Sequence, residues 1–168
     1  MLVPSALVSV LLALPPATDP ATANQQVADA IKNYVITNAV VNFAWAATLG
    51  PTPDPVTTAT GKIVSFPLVL APSGITVYPA SVNQLATDIT AKWLLATYNI
   101  TAPGFTCSPG TVSAAPPLTL TITGNTQAAA MLPFATQLLN WIKSQTPAAP
   151  CAGSHGPYTG SGTVVSIQ

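Results

Sequence analysis

The stretch SVNQLATDITAKWLLATYNIT, Ser81–Thr101, is the clearest pattern in the chain, and the other segments read as variations on it. Ser81, with Gln84 three residues later, has the form of a capping box at a helix start. Asp88 and Lys92 stand at i and i+4, the spacing of neighbours on a helix surface. The apolar residues recur at helical spacing, which predicts one amphipathic helix: Val82, Leu85, Ala86, Ile89, Trp93 and Ala96.

The same order of elements occurs three times along the chain: an amphipathic helix, a Pro/Gly-rich loop and a short β segment. The first helix begins after Asp19-Pro20 and ends at Gly50-Pro51, because Asp caps helices and Gly-Pro terminates them. The predicted helices are Ala21–Leu49, Ser81–Thr101 and Thr126–Thr146, and the β segments are Gly61–Leu70, Leu118–Thr123 and Gly162–Gln168. Burying these apolar faces together predicts an α+β fold.

The N-terminal segment predicts a short apolar helix over Ser5–Leu14, ended by Pro15-Pro16. It lacks the Lys or Arg of a secretory signal and is too short to span a bilayer. Residues 1–18 are therefore expected to form an apolar arm packed on a neighbouring subunit, and residues 19–168 a single α+β domain. The candidate interface residues are Leu7, Val8, Leu11, Leu12 and Leu14.

Charge is scarce throughout the chain. Only 5% of residues are charged and the net charge is zero, against roughly 25% in an average soluble domain. Four scattered Lys cannot form a phosphate-binding patch, so nucleic acid is not expected as a partner. A surface without charge tends to associate, which predicts a subunit whose neighbours cover much of it.

Two cysteines, Cys107 and Cys151, both lie in Pro/Gly-rich segments predicted as loops. A disulfide between them would restrain two loops and contribute about 3–4 kcal/mol. It would also indicate an oxidising compartment. Two reduced loop thiols are the alternative, and the sequence leaves both open.

Residues that could carry chemistry are few. His155 is the single histidine and is expected to be a solvent-facing loop residue. No nucleophile elbow, phosphate loop or close carboxylate pair is present, so no catalysis, metal, cofactor or small-molecule substrate is expected. The three tryptophans are expected to anchor helices or a subunit interface rather than to stack on a ligand: Trp45, Trp93 and Trp141.

The chain resembles the small, Ala/Thr/Pro-rich and charge-poor structural proteins of tailed bacteriophages over about residues 60–168. Three segments carry the resemblance: the Trp-bearing helix Leu85–Tyr98, the helix Ala128–Lys143 and the closing Pro150-Cys151-Ala152-Gly153 with its terminal strand. The resemblance implies a virion subunit of the tail, baseplate, neck or capsid exterior. Its partners would be copies of itself and other virion proteins.

Two other classes of protein are compatible with the same sequence. A secreted or cell-surface binding module would use Met1–Ala17 as an atypical signal peptide and a Cys107–Cys151 bridge. A pilin-like filament subunit also has an apolar N-terminal helix, but Pro15-Pro16 ends this helix after about ten residues, shorter than a filament core needs.

Overall fold

The chain folds into a mixed α+β structure, in a computed structural model that describes residues 1–70, 80–112, 115–123, 127–145 and 149–168. Its described helices are α1 (Pro4–Leu12), α2 (Pro20–Asn38), α3 (Ala80–Trp93) and α4 (Gln127–Lys143). Its described strands are β1 (Val41–Leu49), β2 (Thr52–Pro53), β3 (Thr58–Ser65), β4 (Thr97–Ile100), β5 (Phe105–Cys107), β6 (Gly110–Thr111), β7 (Cys151–His155) and β8 (Tyr158–Ile167). The predicted α+β class is confirmed, with the sheet more prominent than the sequence pattern indicated.

One antiparallel sheet contains all eight described strands, in the order β5-β7-β8-β1-β3-β4-β6, with β2 beside β1. The sheet is curled, and the segment 105–111 joins its two edges. Cys107 at one end of this segment is paired with β7, and Thr111 at the other end is paired with β4. One curled sheet of this kind has an apolar interior and two open ends that other parts of the chain must cover.

The first predicted helix is correct only as far as Asn38. Asp19 caps its start, with its carboxylate accepting from the Thr22 amide at 2.9 Å. The Asn38 side chain donates to the Tyr34 carbonyl at its end. Residues 41–49, predicted as helix, are strand β1, because alternating positions from Val41 to Ala47 are buried. Period-two burial of β-branched and aromatic residues is the mark of a strand.

The middle stretch, Ser81–Thr101, also changes type along its length. α3 ends at Trp93, and the amide of Ala96 closes a turn onto the Trp93 carbonyl at 2.9 Å. The last part of the predicted helical stretch forms strand β4 instead, in which Tyr98 and Ile100 are buried and the residues between them are less so. The side chain of Ser81 lies outside the described residues, so the capping box is not seen. Gln84 donates instead to Asp88 at 2.8 Å.

The segment Leu118–Thr123 is extended but is not a strand, which corrects the prediction. Its alternation is real, since Leu118 and Leu120 are buried between exposed threonines. Side chains from helices, rather than a neighbouring strand, form hydrogen bonds with the backbone of this segment. The Thr90 hydroxyl accepts from the Leu118 amide, and the Gln137 amide group both accepts from and donates to the backbone of Thr121 at 2.7 Å.

The two remaining β predictions differ in extent. β3 ends at Ser65, before Pro67, and the following chain buries Phe66, Leu68 and Leu70 without joining the sheet. The terminal segment, predicted over Gly162–Gln168, is confirmed as strand as far as Ile167, where the longer strand β8 ends. Gly61 in β3 permits close strand contact, because a Cβ there would lie 2.0 Å from the Asn99 carbonyl oxygen.

The N-terminal segment packs on its own chain. α1 contacts α4 and α2, and Leu7 and Leu11 are fully or nearly fully buried there. The Tyr34 hydroxyl accepts from the Val3 amide and donates to its carbonyl, both at 2.8 Å. Among the described helices, none is both long and apolar enough to cross a membrane.

The sheet interior is covered at both ends. At the end where β1 begins, Trp93 of α3 lies against Val41, Ile63 and Ile167 around a cavity of about 10 Å³. Trp93 also contacts Phe66 and Trp141 edge-on, at ring centroid distances of 5.2 and 5.9 Å. At the end where β1 stops, the connection between β1 and β3 places Asp54 inside.

Candidate functional site

The most polar buried site is a pair formed by Asp54 and His155, residues 101 positions apart in the chain. Asp54 follows the short strand β2, and its backbone amide donates to the Ala47 carbonyl of β1. His155 ends β7 opposite Tyr158. Its Nδ1 lies 2.8 Å from Asp54 Oδ2. His155 was expected to be a solvent-facing loop residue, and the structure corrects this, because its loop is a strand and its side chain is only 26% exposed.

Aromatic rings enclose this pair. The His155 ring stacks on Phe105 at 4.4 Å with an angle of 19°. Trp45 meets Phe105 edge-on at 4.9 Å, and its indole Nε1 donates to Asp54 Oδ2 at 2.9 Å. An Asp carboxylate in an aromatic setting needs donors on its oxygens, and this one has three, the third being the Val56 amide.

The electrostatics of Asp54 favour its ionised form. Burial raises its pKa, but hydrogen bonds from the Val56 amide, the His155 ring and the Trp45 indole outweigh burial. The pKa of Asp54 therefore lies below its ordinary value of 3.8. An ionised carboxylate can only accept, so Nδ1 of His155 is the donor in this bond.

A carboxylate that orients an imidazole also occurs in acid–base sites, where the imidazole acts on a neighbouring hydroxyl or thiol. In the described part of the chain, no side-chain hydroxyl or thiol hydrogen-bonds to the His155 ring. The observed contacts of the pair join the connection after β2 to strand β7. They close one end of the sheet. Nothing in the sequence alone signalled the pairing, since neither residue lies in a motif.

A second buried polar cluster lies where the sheet closes. Cys107 in β5 is paired with Gly153, two positions along β7 from Cys151, so both cysteines point to the same face of the sheet. Both thiols are free, and Cys151 donates to Asn99 Oδ1 at 3.1 Å. Burial and a hydrogen bond with Cys151 raise the pKa of Cys107 to about 12.

Tyr98 lies beside these cysteines, and its hydroxyl is buried. Burial, together with the nearby Cys151, raises the pKa of Tyr98 to about 12. Within the residues that the structure describes, the Tyr98 hydroxyl and the Trp93 indole N–H are buried without a hydrogen-bond partner. No group of three or more His, Cys, Asp or Glu that could hold a metal ion occurs among those same residues.

The candidate interface residues from the sequence separate into two groups. Leu7 and Leu11 are covered by the chain's own helices, so they are not available to a neighbouring subunit in this structure. Val8 and Leu14 are partly buried against the core, and Leu12 is 46% exposed. Of the tryptophans predicted as anchors, Trp45 and Trp93 are buried and Trp141 is partly buried against the core, with Trp45 on a strand rather than a helix.

A group of large apolar side chains remains exposed around α1, here called the N-terminal apolar surface: Met1, Val3, Val10 and Leu12. Val10 and Leu14 border a groove of about 490 Å³ between α1 and α2. A smaller apolar pocket of about 150 Å³ lies beneath, where Leu11 meets residues of the other helices, among them Val27, Leu85 and Phe134.

Comparison with protein families, with curated proteins and with solved structures finds no match for this chain. The functional proposal therefore rests on the geometry and chemistry of the chain itself.

Proposed function

We propose that the protein is a non-catalytic structural subunit, held to copies of itself and to other subunits by apolar contacts, in a particle of the bacteriophage type. The observation that carries the proposal is the N-terminal apolar surface. The first 18 residues contain no charged side chain, and they leave Met1 71% and Leu12 46% exposed. Contiguous exposed apolar surface marks protein–protein contacts, and we propose that these side chains supply it.

The rest of the charge distribution supports the same proposal. Of the eight charged side chains, Asp54 is buried and Asp29 pairs with Lys32 at 2.5 Å. Exposed positions of the central strands include small, uncharged side chains, as at Ala44, Thr58 and Thr60. A surface of this composition has little electrostatic repulsion between copies, so it does not oppose dense packing.

Self-association of the isolated chain tests the location of the contact. We expect the wild type to form oligomers in light scattering, and the double variant Val10→Lys/Leu12→Lys to be monomeric, because two buried ammonium groups oppose the contact. The matched control is Leu95→Lys/Leu132→Lys, which changes side chains that are 59% and 49% exposed outside α1. It should leave the oligomer intact.

Two results would count against this proposal. A wild type that stays monomeric at high concentration would refute the subunit hypothesis. If both double variants dissociate the oligomer equally, the association is non-specific. The assignment to a virion has its own test. Peptide mass spectrometry of purified particles from the phage that encodes the chain should detect it in stoichiometric amounts, and its absence there would refute the virion assignment.

A secreted or cell-surface binding module is the second candidate function. One observation favours it: the contact between the Cys107 and Cys151 thiols, which suits an oxidising compartment. N-terminal sequencing of the protein from its natural source separates the two candidates. A start near Ala17 or Thr18 would favour the secreted module, and a start at Met1 or Leu2 the subunit.

A further inference from the structure

The cysteine pair stands at the closure of the curled sheet. The segment 105–111 is the only part of the described chain that pairs with both β7 and β4, since Phe105–Cys107 lies on β7 and Gly110–Thr111 on β4. The β5–β7 pairing is only three residues long, so few backbone hydrogen bonds hold this seam. Cys107 and Cys151 face each other across it.

The geometry of the seam already brings the two sulfur atoms together. Cys107 opposes Gly153, and Cys151 lies two positions further along β7, on the same face. Cys107 and Cys151 are therefore diagonal neighbours on one face of an antiparallel pair. Besides burial, Cys151 raises the pKa of the Cys107 thiol, as a close neighbour does. The glycine at position 153 leaves room beside the Cys107 backbone, because a Cβ there would lie only 2.7 Å from the Cys107 Cα.

We propose that Cys107 and Cys151 form an intramolecular disulfide that fastens β5 to β7, with a disulfide compound such as oxidised glutathione as the oxidant. The bond joins two strands whose pairing is only three residues long. It goes beyond the proposed subunit function.

The reaction is a pair of thiol–disulfide exchanges. The thiolate of one cysteine, for example Cys107, attacks one sulfur of the oxidant, forms a mixed disulfide and releases one glutathione. The other cysteine, Cys151, then attacks the Cys107 sulfur of that mixed disulfide and releases the second glutathione. Two electrons pass to the oxidant, and the two thiol protons end on the released glutathione molecules.

The folded state should resist this reaction once the thiols are buried. Burial raises the pKa of Cys107 to about 12, so the folded thiol is far less ionised at about pH 8 than an exposed cysteine. In an unfolded chain a cysteine has its ordinary pKa of about 8.5, so ionisation is far greater. The bridge therefore forms while the chain folds and slowly or not at all afterwards.

The test compares two preparations of the full chain. One is refolded at about pH 8 with oxidised and reduced glutathione, and the other is refolded with excess reductant. We expect the first to be a monomer on a non-reducing gel, lighter by two hydrogen atoms, with a Cys107–Cys151 peptide after digestion. Its melting temperature should exceed that of the reduced form by about 5–15 °C.

The variants Cys107→Ser and Cys151→Ser serve as controls. Each should melt at the same temperature in both preparations, and serine at position 151 can still donate to Asn99. The wild-type comparison needs neither variant, so a variant that fails to fold leaves the test intact. The proposal is overturned if the glutathione preparation keeps both thiols, if it gives only intermolecular bridges, or if the bridged monomer melts below the reduced one.

Discussion

Replacing Leu7 by alanine tests whether α1 belongs to the core of its own chain. Leu7 is 0% exposed and lies in the helix that packs on α4 and α2. Removing a buried leucine side chain leaves a cavity and costs about 2–5 kcal/mol of unfolding free energy. For a domain of this size, a loss of about 3 kcal/mol lowers the melting temperature by about 6–12 °C.

The measurement is urea or thermal unfolding of dilute protein, so that contacts between copies do not contribute. Leu12→Ala is the matched control, because it makes the same change in the same helix at a side chain that is 46% exposed. It should cost less than about 1 kcal/mol. If Leu7→Ala costs no more than Leu12→Ala, α1 does not pack on the chain as described, and the N-terminal arm belongs to a neighbouring subunit after all.

Two further predictions concern the buried polar groups. Because the folded pKa of Asp54 is below its ordinary 3.8, this carboxylate stabilises the fold at neutral pH and loses that contribution as the pH falls below about 4. Asp54→Asn should therefore lower the midpoint of urea unfolding at about pH 7. In this variant the midpoint should also decrease less steeply between about pH 5 and pH 3 than in the wild type. Part of the acid sensitivity should remain, because the pKa values of Asp19 and Asp29 are also lowered. An unchanged acid profile in this variant would contradict the assigned hydrogen bonds. Tyr98→Phe should be neutral or stabilising by about 1 kcal/mol in the same unfolding assay, because it removes a buried hydroxyl that has no hydrogen-bond partner among the described residues. A loss above about 1 kcal/mol would indicate a hydrogen bond to that hydroxyl.

Helical periodicity predicted where helices begin more accurately than where they end. The start of α2 after Asp19-Pro20 is local chemistry, since the cap bonds to an amide three residues away. Its end at Asn38 is not, because residues 41–49 join a strand that pairs on both sides with β3 and β8. The same holds for Thr97–Ile100, whose partner Gly61 lies far away in sequence.

Alternation of apolar residues predicted which side chains are buried, but not which groups form hydrogen bonds with the backbone. Leu118 and Leu120 are buried as their spacing indicates. The side chains of Thr90 and Gln137 occupy the place of a neighbouring strand. A period-two pattern specifies one apolar face, and either kind of hydrogen-bond partner can satisfy the polar groups along the edge.

The sequence by itself determined the α+β class, the low-charge surface and the helix starts, because composition, periodicity and capping act over a few residues. Only the tertiary structure decided that Asp54 meets His155, that Cys107 meets Cys151, and that Leu7 lies inside while Leu12 stays at the surface. These pairings depend on strand register and on the curl of the sheet, which bring together residues far apart in the chain. A shift of one residue in register would turn each side chain to the opposite face.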